Sequence, residues 1–343
     1  MLNKILPLSF ALISSVPALA SCNEEIPPNE AAAIQKIVQL LEESVRAEAK
    51  TELARRGAHA KAHGCVKAEF RILDKLPEEV RFGIFKSPRT YPAWIRYSNG
   101  AGKVQDDSVG DARGMAVKLK NVEHSKTGRL DLVMINHPVF FVRNAADYVE
   151  FQNALAEDSP VKFFFPGFNP FNFRLHEFGI VNAIKDKTVT NPLDTQYWST
   201  TPYRLGNTAM KFSARPCTTA SKYNDTTTPN FLRDNMQKQL IPNEACFDFM
   251  VQLQRIPSAM PIEDPTLEWR EEDSPFIRVA QITIPIQTFS TPEQLAFCEN
   301  LSFTPWNTIP EHQPLGGINR VRKTVYEAIS RIRHELNNQP TRF

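Results

Sequence analysis

Between residues 28 and 56, apolar side chains at Ile34, Ile37, Val38, Leu41 and Val45 fall three or four positions apart with charged residues between them. That spacing predicts an amphipathic helix. After Gly57 the period shortens to two: Val66, Ala68, Phe70 and Ile72 alternate with polar residues, and Trp94, Arg96 and Ser98 share one face of the next run. Both runs read as strands. Further strands are predicted at 115–119 and 132–142, followed by a helix at 145–156. The middle of the chain is irregular, with aromatic residues punctuated by Pro and Asn at 163–173 and a Thr/Ser/Asn-rich stretch at 218–229 that reads as an exposed loop. Alternation returns at 247–256 and 277–286, and helical patterns at 292–300 and 319–337 close the chain. Strands arriving mostly in succession, with helices before, between and after them, predict an antiparallel α+β architecture.

Composition narrows the class of protein. Of 343 residues, 42% are hydrophobic and 23% charged, which excludes general disorder and a multi-span membrane protein. A formal net charge of +2 without a dense Lys/Arg stripe gives no field for phosphates, so no nucleic-acid partner is expected. Lys4 followed by an apolar stretch at 5–20 has the form of an export signal. The expected division is a signal segment at 1–21 and one domain at 22–343. Ala18-Leu19-Ala20 suits an ordinary signal peptidase, whereas Leu19-Ala20-Ser21-Cys22 has the form of a lipoprotein box, in which Cys22 would tether the chain to a membrane by acyl groups. Either reading places the protein outside the cytoplasm, periplasmic or membrane-anchored. Setting Cys22 aside leaves Cys65, Cys217, Cys246 and Cys298, an even number suited to an oxidising compartment. Cys217 and Cys246 flank the same polar insertion and are the expected pair; Cys246 and Cys298 as buried thiols are the alternative.

The chemistry-bearing residues concentrate in the last helix, where Arg322, Tyr326, Ser330 and Arg333 fall along nearly one face. A tyrosine serves as an anionic iron ligand only with a cation near it, and Arg322 stands one turn away. Five segments in order then resemble the catalase superfamily. They are Arg56-Gly-Ala-His59-Ala-Lys61, Trp94-Ile-Arg96-Tyr-Ser98, Asp111-Ala-Arg113-Gly114-Met-Ala-Val117-Lys118, Pro138-Val-Phe140-Phe141-Val-Arg143, and Arg322-x-x-x-Tyr326 with Arg331 and Arg333 after it. Any one match is weak; five in the same order, spread over 56–333, are specific.

This resemblance implies a catalase-like antiparallel β-barrel with flanking helices and a b-type haem whose proximal ligand, Tyr326, sits on a C-terminal helix. It implies that His59 moves the peroxide proton, that Ser98 orients His59, that Arg56, Arg96 and Arg333 pair with the haem propionates, that Arg322 supports Tyr326, and that Phe141 packs beside the porphyrin. A zinc site at His59 and His63 lacks support, because Ala60 stands where a glutamate base would be needed. The chain departs from the family at the distal asparagine that positions peroxide. Alignment on Pro138 puts Ile135 there, with Asn136 one residue later, and a shift of one turns a strand residue to the opposite face unless a bulge intervenes.

The expected function is a haem peroxidase reducing hydrogen peroxide or organic hydroperoxides with a small organic electron donor, weak as a catalase. Fatty-acid hydroperoxide rearrangement and non-catalytic haem carriage are the alternatives. With no counterpart of the family's wrapping segment and C-terminal domain, a monomer or small homo-oligomer with an open pocket is expected.

Overall fold

A computed structural model describes Cys22, 24–217 and 222–340. Helix α1 (Glu30–Glu48) buries Ile34, Ile37, Leu41 and Val45. It ends eight residues before the predicted point, because Asn337 captures the chain at Ala54, accepting its N–H at 3.0 Å and donating to its carbonyl at 2.9 Å. Strands β1 (Ala62–Ile72), β2 (Thr90–Asn99), β3 (Arg113–Lys120) and β4 (Arg129–Ile135) follow in antiparallel succession. β4 stops at Ile135, short of the predicted 142.

Helix α2 (Ala145–Ala156) starts where expected, with Asn144 Oδ1 accepting from Asp147 N as N-cap. The irregular middle resolves into α3 (Val161–Phe164), α4 (Leu175–Lys185) and the short strands β5 (Tyr197–Trp198) and β6 (Tyr203–Leu205). The chain continues through β7 (Thr208–Pro216), α5 (Phe231–Leu240), β8 (Ala245–Leu253) and β9 (Ile277–Ile284), and ends with α6 (Pro292–Asn300) and α7 (Gly317–Leu336).

The sheet order is β5-β4-β3-β2-β1-β9-β8-β7-β6, and β5 pairs with β7 as well as β4. That second pairing closes eight strands into an antiparallel barrel, leaving β6 as a hairpin arm on β7. The fold is the predicted α+β barrel with flanking helices. Its interior is filled by alternate residues such as Ile95 and Tyr97 of β2, Met115 and Val117 of β3, and Phe247 and Phe249 of β8. The intervening residues, Arg96 and Ser98 on β2 and Gly114 on β3, therefore belong to the outer face.

Against the barrel lies a helical layer in which Ile37, Leu41 and Val45 of α1 pack with Val321, Ile329 and Ile332 of α7 and Ala145 of α2. The start of α7 is fixed by charge. Arg320 bridges Glu24, Glu30 and Glu263 at 2.5, 2.6 and 2.9 Å. Carboxylate oxygens of Glu24 and Glu263 also accept the N–H groups of Gly316 and Gly317 at the helix N-terminus, both at 2.8 Å. Disulfides join Cys65 of β1 to Cys298 of α6 and Cys217 to Cys246. The first is an addition to the expected pair, and Cys298 is no free thiol. The signal segment at 1–21 lies outside the described residues, while Cys22 is half-buried against Ala209, Met260, Ile262, Trp269 and Leu315.

Candidate active site

His59 sits just before β1 with φ of +58°, a left-handed conformation that a non-glycine residue adopts only when its surroundings impose it. Three hydrogen bonds do so: His59 N to Gly100 O at 2.9 Å, Ala60 N to Ala101 O at 3.0 Å, and Arg96 Nη2 to His59 O at 2.9 Å. The ring turns toward β2, with Nδ1 3.1 Å from Ser98 Oγ. It fits because β3 carries no side chain opposite: a Cβ on Gly114 would lie 2.7 Å from His59 Nδ1 and 2.8 Å from Ser98 Oγ. Loss of water, followed by the positive charges of Arg96, Arg322 and Arg56, lowers the imidazole pKa to about 4. His59 is thus a neutral base at physiological pH.

Near it two guanidiniums, those of Arg56 and Arg333, meet one carboxylate. Arg56 donates to Glu299 Oε1 at 2.8 Å and to the carbonyls of Glu299 and Leu301. Arg333, buried on α7, donates to Glu299 O at 2.6 Å and Ser302 Oγ at 3.3 Å, and its Nη1 is 3.6 Å from Glu299 Oε1. Arg96 is buried beside them, and Arg56 and Arg333 help to depress its pKa after burial. Burial, then Arg56, lowers Arg333 to about 9. The Nε atoms of Arg96 and Arg333 are buried without partners. Two cations on one carboxylate, a third within its field, and two buried donors without a partner form a site lacking negative charge.

On α7, Arg322 donates to Thr201 Oγ1 at 2.9 Å and Asn319 Oδ1 at 3.3 Å, and its guanidinium lies 5.3 Å from the centroid of Phe140. Tyr326, one turn on, is half-buried, and among the described residues no hydrogen bond reaches its hydroxyl. Tyr148 of α2 stands near it: burial first, then the charge of Tyr326, pushes the Tyr148 phenol up. Arg331 points away, exposed, 3.9 Å from Glu42.

The profile of the family described as Catalase matches residues 27–167. "Catalase C" of Rhizobium meliloti is 38% identical over 96 residues, which cover 27% of this chain and 13% of that protein. A catalase of Pseudomonas syringae is 30% identical over 122 residues, 35% of this chain and 23% of that protein. The solved structure of a bacterial catalase superposes with a TM-score of 0.63 at 16% identity, covering 99% of this chain and 70% of that one. A fungal catalase superposes with a TM-score of 0.62 at 18% identity, covering 86% and 61%. Residues 27–167 thus resemble the catalase family, the chain shares its fold with solved catalases, and it spans less than a quarter of the length of the catalases it matches in sequence.

His59 thus has Ser98 at its Nδ1 and feels the charges of Arg96, Arg322 and Arg56, while Arg333 joins the group through Arg56 and Glu299. Asn136 stands apart. β3–β4 pairing sets Ile135 directly opposite Gly114, so Ile135 shares the face beside His59 and regular alternation turns Asn136 from it. Asn136 is buried, its Oδ1 accepting from Arg113 N at 2.8 Å while its Nδ2 has no partner. Phe141 packs edge-on to Phe151 at 4.7 Å, whereas Phe140 is the ring of this pair that touches Arg322.

His63 is taken up in a buried network, with Nε2 2.9 Å from Asn99 Oδ1 and Lys61 Nζ 2.7 Å from Asp107 Oδ1. Sequence reasoning missed Glu299, Thr201 and the spatial role of Gly114. Only the last had a signal, a glycine inside a strand. The residues present fit a haem: arginines with spare donors for two carboxylates, a tyrosine hydroxyl that no hydrogen bond reaches among the described residues, and a neutral histidine.

Proposed function

We propose that this chain is an exported haem-dependent peroxidase that reduces hydrogen peroxide or organic hydroperoxides, with weak catalase activity. The observation that carries the reading is the grouping of Arg56 and Arg333 on one carboxylate, with buried Arg96 in their field and bonded to the backbone of a neutral His59. Catalase-type chemistry in the relatives supports the peroxide substrate, and two bridged cysteine pairs support an oxidising compartment. When bound, the haem supplies the redox-active iron at which peroxide is reduced.

The chain's own residues do the rest. Arg56, Arg96 and Arg333 would hold the propionates. Tyr326 would hold the iron through its phenol oxygen, with Arg322 one turn before it. His59 accepts the peroxide proton on Nε2, the ring nitrogen that Ser98 does not engage, and returns it to the departing oxygen. Ile135 in place of an amide beside His59 leaves a second peroxide poorly oriented, which favours oxidation of an organic donor over disproportionation.

Loaded with haem, the protein should oxidise a dye donor with peroxide and show a phenolate charge-transfer band that Tyr326→Phe abolishes. His59→Ala should lower the rate by roughly 10² to 10⁴. A polypeptide that stays colourless after reconstitution overturns the proposal.

A further inference from the structure

Six phenylalanines lie between 163 and 173, and the fold divides them into two sets. Phe163, Phe164, Phe165 and Phe173 form a base of edge-on rings with Phe151 and Phe178, centroids 5.0–5.5 Å apart. Phe168 and Phe171 project from that base, 76% and 96% exposed, with Leu175, Val161 and Leu155 exposed around them.

The loop is braced. Arg174 donates to Phe163 O at 2.7 Å and lies 4.4 Å from the Phe163 ring centroid, while Asn169 Oδ1 accepts from Phe171 N at 3.2 Å. Phe168 has φ of +52°, a strained conformation for a bulky side chain, and it turns the ring into water. Exposed apolar patches held in this way mark an interaction surface.

What precedes the described structure indicates the partner. The sequence carries an apolar stretch at 5–20, and Cys22, two residues after it, packs against Met260, Ile262 and Trp269. The same segment carries exposed Leu267, and its Thr266 carbonyl meets His176 Nε2 at 3.2 Å, next to Leu175. Cys22 and the start of α4, which follows the aromatic tip, thus meet the same 260–269 segment. The charges at the base of the tip are paired, Lys162 with Glu157 at 2.8 Å and Arg174 with Glu150 at 2.5 Å.

We propose that Phe168 and Phe171 are a membrane-docking tip that inserts into the interfacial region of a phospholipid bilayer, through apolar burial rather than attraction to anionic lipid. The proposal is independent of the haem reading. It is tested with the full chain and phosphatidylcholine vesicles. In Phe171→Trp, the fluorescence added over the parent protein should shift to the blue and be quenched by dibrominated phosphatidylcholine. Residues 5–20 are common to all variants, so this reporter isolates the loop.

Partitioning in a sedimentation assay should fall about tenfold or more per ring in Phe168→Ser/Phe171→Ser and should not weaken with added salt. An unshifted, unquenched reporter overturns the proposal. So does light scattering that shows a dimer of the parent falling apart in the serine variant, which would make the tip a protein interface.

Discussion

Replacing Gly114 with alanine probes the distal geometry at one atom. The new Cβ would lie 2.7 Å from His59 Nδ1, 2.8 Å from Ser98 Oγ and 2.9 Å from His59 Cε1. Comfortable non-bonded separations begin near ~3.5 Å, so the imidazole or the hydroxyl must retreat by roughly 0.7 Å. The His59–Ser98 bond at 3.1 Å cannot survive that intact. Overpacking of this kind costs about 1–3 kcal/mol of stability, and a catalytic group misplaced by about 1 Å loses around 10²-fold in rate.

Gly114→Ala should therefore take up haem with the parent spectrum yet oxidise a dye donor about 10²-fold more slowly at limiting peroxide. Adding Ser98→Ala should cost little more, since both changes act through one hydrogen bond. Parent-like turnover by Gly114→Ala, with the His59–Ser98 bond unmoved in its crystal structure, would refute the reasoning.

Lys118 and Asp131, both buried and 2.7 Å apart, should make Asp131→Leu lose about 3–5 kcal/mol in urea unfolding, with Lys118→Met/Asp131→Leu recovering only part of it, because Thr304 N and Asn307 Nδ2 also donate to Asp131 Oδ2 at 2.9 and 3.0 Å. Burial holds His312 neutral down to about pH 4, its Nε2 accepting from Ile84 N at 3.0 Å. The folded pKa is depressed, so the unfolded chain protonates first. Stability should be unaffected above about pH 6.5 and fall by up to about 3 kcal/mol between there and pH 4. Unfolding curves at three pH values check the slope, which His312→Gln should flatten. The Cys65–Cys298 bridge spans 233 residues, for which chain entropy predicts about 5 kcal/mol. Cys65→Ser/Cys298→Ser should melt well below the parent, and equal melting temperatures would contradict this.

Much of the scaffold was legible because it is locally encoded. The periodic faces of α1 and α7 and the alternation in β1 and β2 state which side is buried wherever those segments pack. β5 and β6, two and three residues long, carry no period to read, and yet β5 closes the barrel. The distal shift was equally a local matter: strand parity sets Ile135 on the Gly114 face. Phe140 against Phe141 was not, because which ring meets Arg322 depends on how the segment after β4 crosses to α7.

By itself the sequence determined the barrel-forming alternation, the amphipathic helices and the order of the chemical groups, since each is a relation between residues a few positions apart. Only the tertiary structure decided that Glu299 would meet Arg56 and Arg333, that Cys65 would find Cys298, and that two phenylalanines would be left in water. Those outcomes depend on how separate segments pack, 243 residues apart for Arg56 and Glu299 and 34 for Arg333 and Glu299, where the free energy lies in shared burial and charge rather than in any local preference.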